Sequence, residues 1–194
     1  MVARNEDIKL LSKYGLSVER LVSSAAEYLR DVRESQNGNK RVGLSEDDKI
    51  FFRSVGAHGV DGIDPRGLEK MHREMAVEYA VMVECALSSD QVAKMLGLSI
   101  SRIRQRSLDK TLYSIKLKQR HRFPAWQFHE CRLVRHIDEV LPFLNRALHP
   151  LAVHDFFTTP NSELEDEDGR KWSPVERLEV GQDIETIKHI IRFL

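Results

Sequence analysis

Apolar positions recur at the helical period in three stretches of the first half of the chain. In LSVERLVSSAAEYLRDVRES, Leu16, Leu21, Val22, Ala25, Ala26, Leu29 and Val32 fall along one helix face, with Ser17 placed to cap it. Residues 36–43 (QNGNKRVG) read as a loop from their Asn and Gly content, and Ser45 as the cap of a short helix through Phe51 and Phe52. After the break GAHGVDGIDPRG, Asp64-Pro65 signals a third helix. The Asp can accept free N–H groups, and Pro at the first helical position forfeits no hydrogen bond. That helix carries Leu68, Met71, His72, Met75, Tyr79, Met82, Val83 and Leu87.

The pattern then tightens. In SSDQVAKMLGLSISRIRQRS, Ser88 and Gln91 stand at capping-box spacing, and Val92, Ala93 and Leu96 make one apolar face. Ala93 is small where a second helix must cross closely. Gly97 permits the positive-φ turn, Leu98 returns to the core, Ser99 or Ser101 opens the next helix, and Ile103 points inward. This spacing predicts a helix-turn-helix. Its bland counterpart is an αα-hairpin with a charged solvent face. The predicted outer face holds Ser101, Arg102, Arg104, Gln105 and Arg106, whose donors and acceptors match guanine and adenine edges in a major groove.

TLYSIKLKQRHRFP alternates instead, with Leu112, Ser114 and Lys116 on one side and Tyr113, Ile115 and Leu117 on the other. A hairpin turning at KQR would present Lys116, Lys118, Arg120, His121 and Arg122 to phosphates. Pro124 is expected to open an amphipathic helix, PAWQFHECRLVRHIDEVL, with Trp126 as a core residue beneath the hairpin. Pro142, Pro150, Pro160 and Pro174 divide the remainder into short units. Ser173-Pro174 starts a helix that Gly181 ends, and Asp183 caps a last helix carrying Ile184, Ile187, Ile190, Ile191 and Leu194.

Charge sharpens this division. The 194 residues hold equal totals of 30 basic and 30 acidic side chains. Residues 87–136 nevertheless carry eleven bases against three acids, and residues 155–194 carry ten acids against five bases. The acidic run ELEDEDGRKWSP reads as a solvated loop. The two cysteines, Cys85 and Cys131, do not make a disulfide framework, and no apolar run nears the ~18 residues of a membrane helix, so a soluble cytoplasmic protein is expected. The eight histidines show no metal-ligand spacing, and no phosphate-binding, dinucleotide or nucleophile-elbow motif occurs. Neither catalysis, nor a metal, nor a cofactor is expected.

Residues 87–128 resemble the winged helix-turn-helix of the MerR and excisionase group. The likeness rests on Ser88, Gln91, Val92, Ala93, Leu96, Gly97, Leu98 and Ser99, followed by Arg122, Phe123 and Pro124. DKTLYS stands where that group has G-x-L-P, and the long dimerisation helix of MerR proper is missing. The resemblance implies DNA binding by Ser99, Ser101, Arg102, Arg104, Gln105, Arg106 and the hairpin cations. The last fifty residues resemble the toxin-binding domain of Xre/ParS/MbcA-type antitoxins through Pro160, Asn161, Leu164, Pro174, Leu178, Gly181 and Asp183. That second resemblance implies a RES-type toxin partner and autorepression.

The expectation is a mainly α protein in three parts. Residues 1–86 form a helical region with Met71, Met75, Tyr79 and Met82 as a candidate dimer contact or as plain core. Residues 87–136 form the winged helix-turn-helix, and residues 137–194 a small helical interaction domain. The expected function is a homodimeric, sequence-specific regulator on double-stranded DNA, most simply a repressor. The alternatives are an antitoxin and an excisionase-like DNA-bending protein.

Overall fold

The computed structural model describes residues 5–13, 16–38, 65–117, 120–145 and 147–194. The expectations for Ser45, Phe51, Phe52, Asp64 and Lys118 lie outside the described residues. The chain forms two compact units, Met1–Cys85 and Ala86–Leu194. The described residues are mainly helical, with a few short antiparallel strand pairs.

In the first unit, α1 spans Asn5–Lys13, α2 Val18–Gly38 and α3 Pro65–Cys85. The Arg20 backbone N–H donates to Ser17 Oγ (3.4 Å), the cap anticipated for α2. The helix does not stop before Gln36; it continues through Asn37 to Gly38, so part of the anticipated loop is helical. Helices α2 and α3 run antiparallel. Arg20 near the start of α2 meets Glu84 near the end of α3 (3.4 Å), and the Tyr28 hydroxyl, two turns on, donates to Met75 Sδ (3.6 Å). Tyr28 also packs its ring on Tyr79, with centroids 5.6 Å apart. Met75, Tyr79 and Met82 are therefore interior to this pair and not a surface stripe, because their i, i+4, i+7 spacing lines the face turned toward α2. Burial, reinforced by Glu27 and Asp31, pushes the Tyr79 hydroxyl up to about 12.

The second unit begins with a two-residue strand, β1 (Leu87–Ser88), then α4 (Ser89–Leu96) and α5 (Ile100–Leu108). The hairpin β2 (Ile115–Leu117) and β3 (Arg120–Phe123) follows, and β3 lies between β1 and β2 in an antiparallel sheet. Val92, Ala93, Ile103, Leu112 and Phe123 fill the small core between helices and sheet. Strand β2 starts at Ile115, later than the alternation suggests. Leu112, fully buried, belongs to that core and not to the strand.

Beyond Pro124 the anticipated helix does not form. A 3₁₀ turn (Ala125–Gln127) leads into a tight hairpin of β4 (Phe128–His129) and β5 (Arg132–Leu133), and only Ile137–Val140, α6, is α-helical. Gln127 explains the break. Its side chain, fully buried, donates from Nε2 to the carbonyls of Tyr113 (2.9 Å) and Pro124 (3.2 Å), while its Oε1 accepts from the Tyr113 N–H (3.0 Å). Glu130 and Cys131 make the turn at φ 45° and 62°, a conformation that disfavours residues with a Cβ. A second 3₁₀ turn (Leu141–Phe143) leads to α7 (Pro150–Thr158). The hairpin β6 (Asn161–Glu165) and β7 (Lys171–Trp172) follows, then α8 (Pro174–Glu179) and α9 (Ile184–Arg192).

The run expected to be a solvated loop is thus a hairpin. Asp166 holds its turn, accepting from the N–H groups of Arg170 (2.9 Å) and Asp168 (3.1 Å) and from Trp172 Nε1 (2.7 Å), which keeps its carboxyl below the usual range. Trp126, Val134, Ile137, Val140, Leu141, Val153, Phe157, Leu164, Leu178, Ile187 and Ile191 build one larger core from both sides of the expected boundary at residue 136. Trp126 stacks on Phe157 at 4.3 Å, as befits a core residue.

Candidate nucleic-acid interface

Local chemistry fixes the helix-turn-helix at each junction. The Ser88 N–H donates to Gln91 Oε1 (2.8 Å) and the Gln91 N–H returns to Ser88 Oγ (3.3 Å), the reciprocal cap of α4. Gly97 closes α4 at φ 64°. A Cβ there would meet nothing within 4 Å, so glycine serves the backbone conformation and not close packing. The Leu98 N–H then reaches back to the Ala93 carbonyl (2.9 Å), and the Leu98 side chain packs on the core. Ser99 caps α5 by accepting from the Arg102 N–H at 3.1 Å. That bond occupies Ser99 Oγ as an acceptor, so the residue's first task is the helix start.

Ile103 and Ser107, one turn apart, anchor α5. Opposite them, Ser101 and Gln105 form the outward line, with Leu108 beside it, 74% exposed. Arg102 and Arg104 are two residues apart, roughly 200° around the helix. They flank the outward line on opposite sides and do not share one reading face. Both are exposed, and among the described residues neither side chain enters an ion pair.

Arg106 departs from the expectation. Its side chain, 19% exposed, sits 3.3 Å from Asp138 and donates from Nε to Thr111 Oγ1 (3.4 Å). It joins α5 to α6 and is not turned out to solvent. Gln105 is also held, donating from Nε2 to Asp109 Oδ1 at 2.7 Å.

The wing sorts its charges by register. Ile115 faces Arg122 and Leu117 faces Arg120, while Lys116 faces His121. Arg120 and Arg122 therefore share one side of the sheet, and Lys116 and His121 share the other with Phe123. His121 is half-buried, stacked toward Phe123 (6.5 Å between centroids), with Nδ1 3.1 Å from Ser114 Oγ. Ser114 Oγ in turn lies 2.5 Å from Ser107 Oγ on α5. This chain of three polar groups ties α5 to the wing, so His121 positions the hairpin. Lys116 and Arg120 are exposed and Arg122 is half-exposed; among the described residues all three lack an ion-pair partner.

The residues expected to meet a toxin are distributed differently. Leu164 and Leu178 are buried in the larger core and Pro174 is buried at the start of α8. Asp183 does not cap α9 through its side chain; its backbone is left-handed (φ 56°) and its carboxylate pairs with Arg177 Nε at 2.9 Å. Gly181 (φ 74°) ends α8 as anticipated. Only Pro160 and Gly181 are exposed, with Asn161 and Asp183 half-buried.

Among the described residues no group of three or more His, Cys, Asp or Glu side chains is arranged to hold a metal, and no helix is long and apolar enough to cross a membrane. Cys85 and Cys131 are free and exposed.

Neither a protein family nor a curated protein matches this chain. Among solved structures, the NMR structure of Rv2175c is similar over 55% of this chain and 80% of its own, at 18% identity and a TM-score of 0.41.

Proposed function

We propose that this protein binds double-stranded DNA through α5 and the wing and acts as a sequence-specific transcriptional regulator, most simply as a repressor. The observation that carries this reading is the unpaired state of Arg102, Arg104, Lys116, Arg120 and Arg122, among the described residues, on a capped helix and the hairpin beside it. Arginine and lysine left free on one region, in a chain of zero net charge, suit an anionic partner. In the complex, α5 lies in the major groove with Ser101 and Gln105 toward base edges. Arg102 and Arg104 reach the two groove walls, and the wing cations lie along the adjacent backbone. A nine-residue recognition helix and one wing cover a short half-site, so two copies act on a palindrome.

Duplex binding measured across salt tests the reading. The logarithm of affinity should fall linearly with the logarithm of salt concentration, and replacing Arg102 and Arg120 by Gln should flatten the slope by about two. An unchanged slope in that double variant would remove these cations from the interface.

A further inference from the structure

Helix α2 carries two lines of contact residues. On the first, Tyr28 meets Met75 and Tyr79 of α3, and Ser24, one turn earlier, is buried on the same face. The second lies roughly 100° further round the helix and holds Val18, Val22, Ala25, Leu29 and Val32. These residues follow one another at steps of 4, 3, 4 and 3, the repeat of a coiled-coil seam. Val22 is 62% exposed and Leu29 39%, while Val18, Ala25 and Val32 are half-buried. We propose that this seam is a homodimer contact, on which α2 pairs antiparallel with α2 of a second copy of the chain. The inference concerns the first unit alone and does not rest on the DNA-binding reading.

The seam fits itself when its direction is reversed. Layering Val22 against the partner's Val32 sets Ala25 against the partner's Leu29, small against large, and two-fold symmetry repeats both layers. Leu29 and Val32 also border a shallow hollow with Arg33, Glu69, His72 and Arg73, and the partner's Val22 enters it in this register. The flanking charges agree. Glu19, Ala26 and Arg33, all exposed, recur every seven residues along the outer edge of the seam. Reversal brings Glu19 opposite the partner's Arg33 at each end, with Ala26 opposite the partner's Ala26 between them. A parallel pair would set Glu19 level with the partner's Glu19 and Arg33 level with the partner's Arg33. Among the described residues neither Glu19 nor Arg33 enters an ion pair. Glu19 accepts a hydrogen bond from Ser17 Oγ (3.2 Å), which leaves its charge unneutralised. A seam this short would not hold isolated peptides together. Here α2 is already formed and braced by α3, so association does not have to order the helix as well.

Sedimentation equilibrium of the full chain, without DNA, is the test. The wild type should show a reversible monomer–dimer equilibrium. Val22→Asp sets a carboxylate in the seam and should raise the dissociation constant about a hundredfold or more. Val22 is mostly exposed in the single copy, so this variant keeps its fold, which far-UV circular dichroism checks. Glu19→Arg and Arg33→Glu should each weaken the dimer by about tenfold, because each places two like-charged pairs across the seam. Both changes in one chain should restore the wild-type constant to within about threefold. Mixing the two single variants should yield heterodimers in preference to either homodimer, since every pair is then opposite in charge.

A wild type that stays monomeric at every concentration overturns the proposal and leaves the seam to another occupant. A dimer that survives Val22→Asp unchanged puts the contact elsewhere and overturns it too. Single charge reversals without effect, or a double reversal that fails to restore association, overturn the antiparallel register. None of these results bears on duplex binding, which the salt titration above tests separately.

Discussion

Helices α5 and α9 are both nine residues long, both amphipathic, and both carry basic residues, yet they treat charge in opposite ways. In α9, Ile187, Ile190 and Ile191 are buried, Lys188 is held between Glu185 (2.9 Å) and Glu139 (3.6 Å), and Arg192 stacks over Phe143 at 4.4 Å. In α5 only Ile103 and Ser107 are buried, and Arg102 and Arg104 lack ion-pair partners among the described residues. The cations of α9 are satisfied within the fold, whereas Arg102 and Arg104 on α5 are left to solvent, the arrangement on which the proposed DNA contact rests. Arg106, on α5 but paired with Asp138, marks where the helix passes from one regime to the other.

The contrast breaks first at the core. Ile187→Ala should cost about 2–5 kcal/mol of stability in urea denaturation, because a fully buried side chain leaves a cavity. Arg104→Ala should stay within about 0.5 kcal/mol. Equal losses would mean that the fold depends on α5 as heavily as it does on α9.

The second effect concerns caps. Ser99 caps α5 with a hydroxyl that does not titrate, whereas His149 caps α7 with Nδ1 accepting from the Leu151 N–H (3.2 Å). Burial pushes His149 down to about 4 from its ordinary 6.5. Between these values the unfolded chain binds a proton that the folded chain refuses. The contribution to stability therefore falls as pH drops from 6.5 toward about 4, at up to about 1.4 kcal/mol per pH unit. Denaturation midpoints measured across this window should flatten in His149→Asn, which retains a capping oxygen.

Binding gives the third separation. Arg104→Ala should weaken duplex binding about tenfold for all sequences and lower the salt slope by about one, while Lys188→Ala should leave both unchanged. The smallest effect is Asp138→Asn. Freeing Arg106 should cost about 0.2–1 kcal/mol of stability, as for other part-exposed ion pairs, and should raise nonspecific affinity by adding one unpaired cation.

What is legible in the sequence follows the range of the interactions involved. The helix-turn-helix is written in bonds that span three to five residues: the box at Ser88 and Gln91, the left-handed Gly97, the cap at Ser99. The segment after Pro124 misleads because its conformation is set from outside, by Gln127 gripping the backbone of Tyr113 fourteen residues earlier. Glu130 and Cys131 take positive φ without a glycine or asparagine to announce it. At the site, composition locates the cations but not their freedom. The withdrawal of Arg106 depends on Asp138, 32 residues away, and the constraint on Gln105 escapes a reading of residue types alone although Asp109 stands at i+4.

The grip of Gln127 has a practical corollary for anyone trimming this protein. A minimal fragment ending at Phe128 would retain the helix-turn-helix and its wing but lose part of their support. It would strip Trp126, the neighbour of Gln127 in the chain, of the Phe157 ring it rests on, and so uncover a buried indole. The C-terminal segment is thus the bracket on which the helix-turn-helix and its wing are mounted.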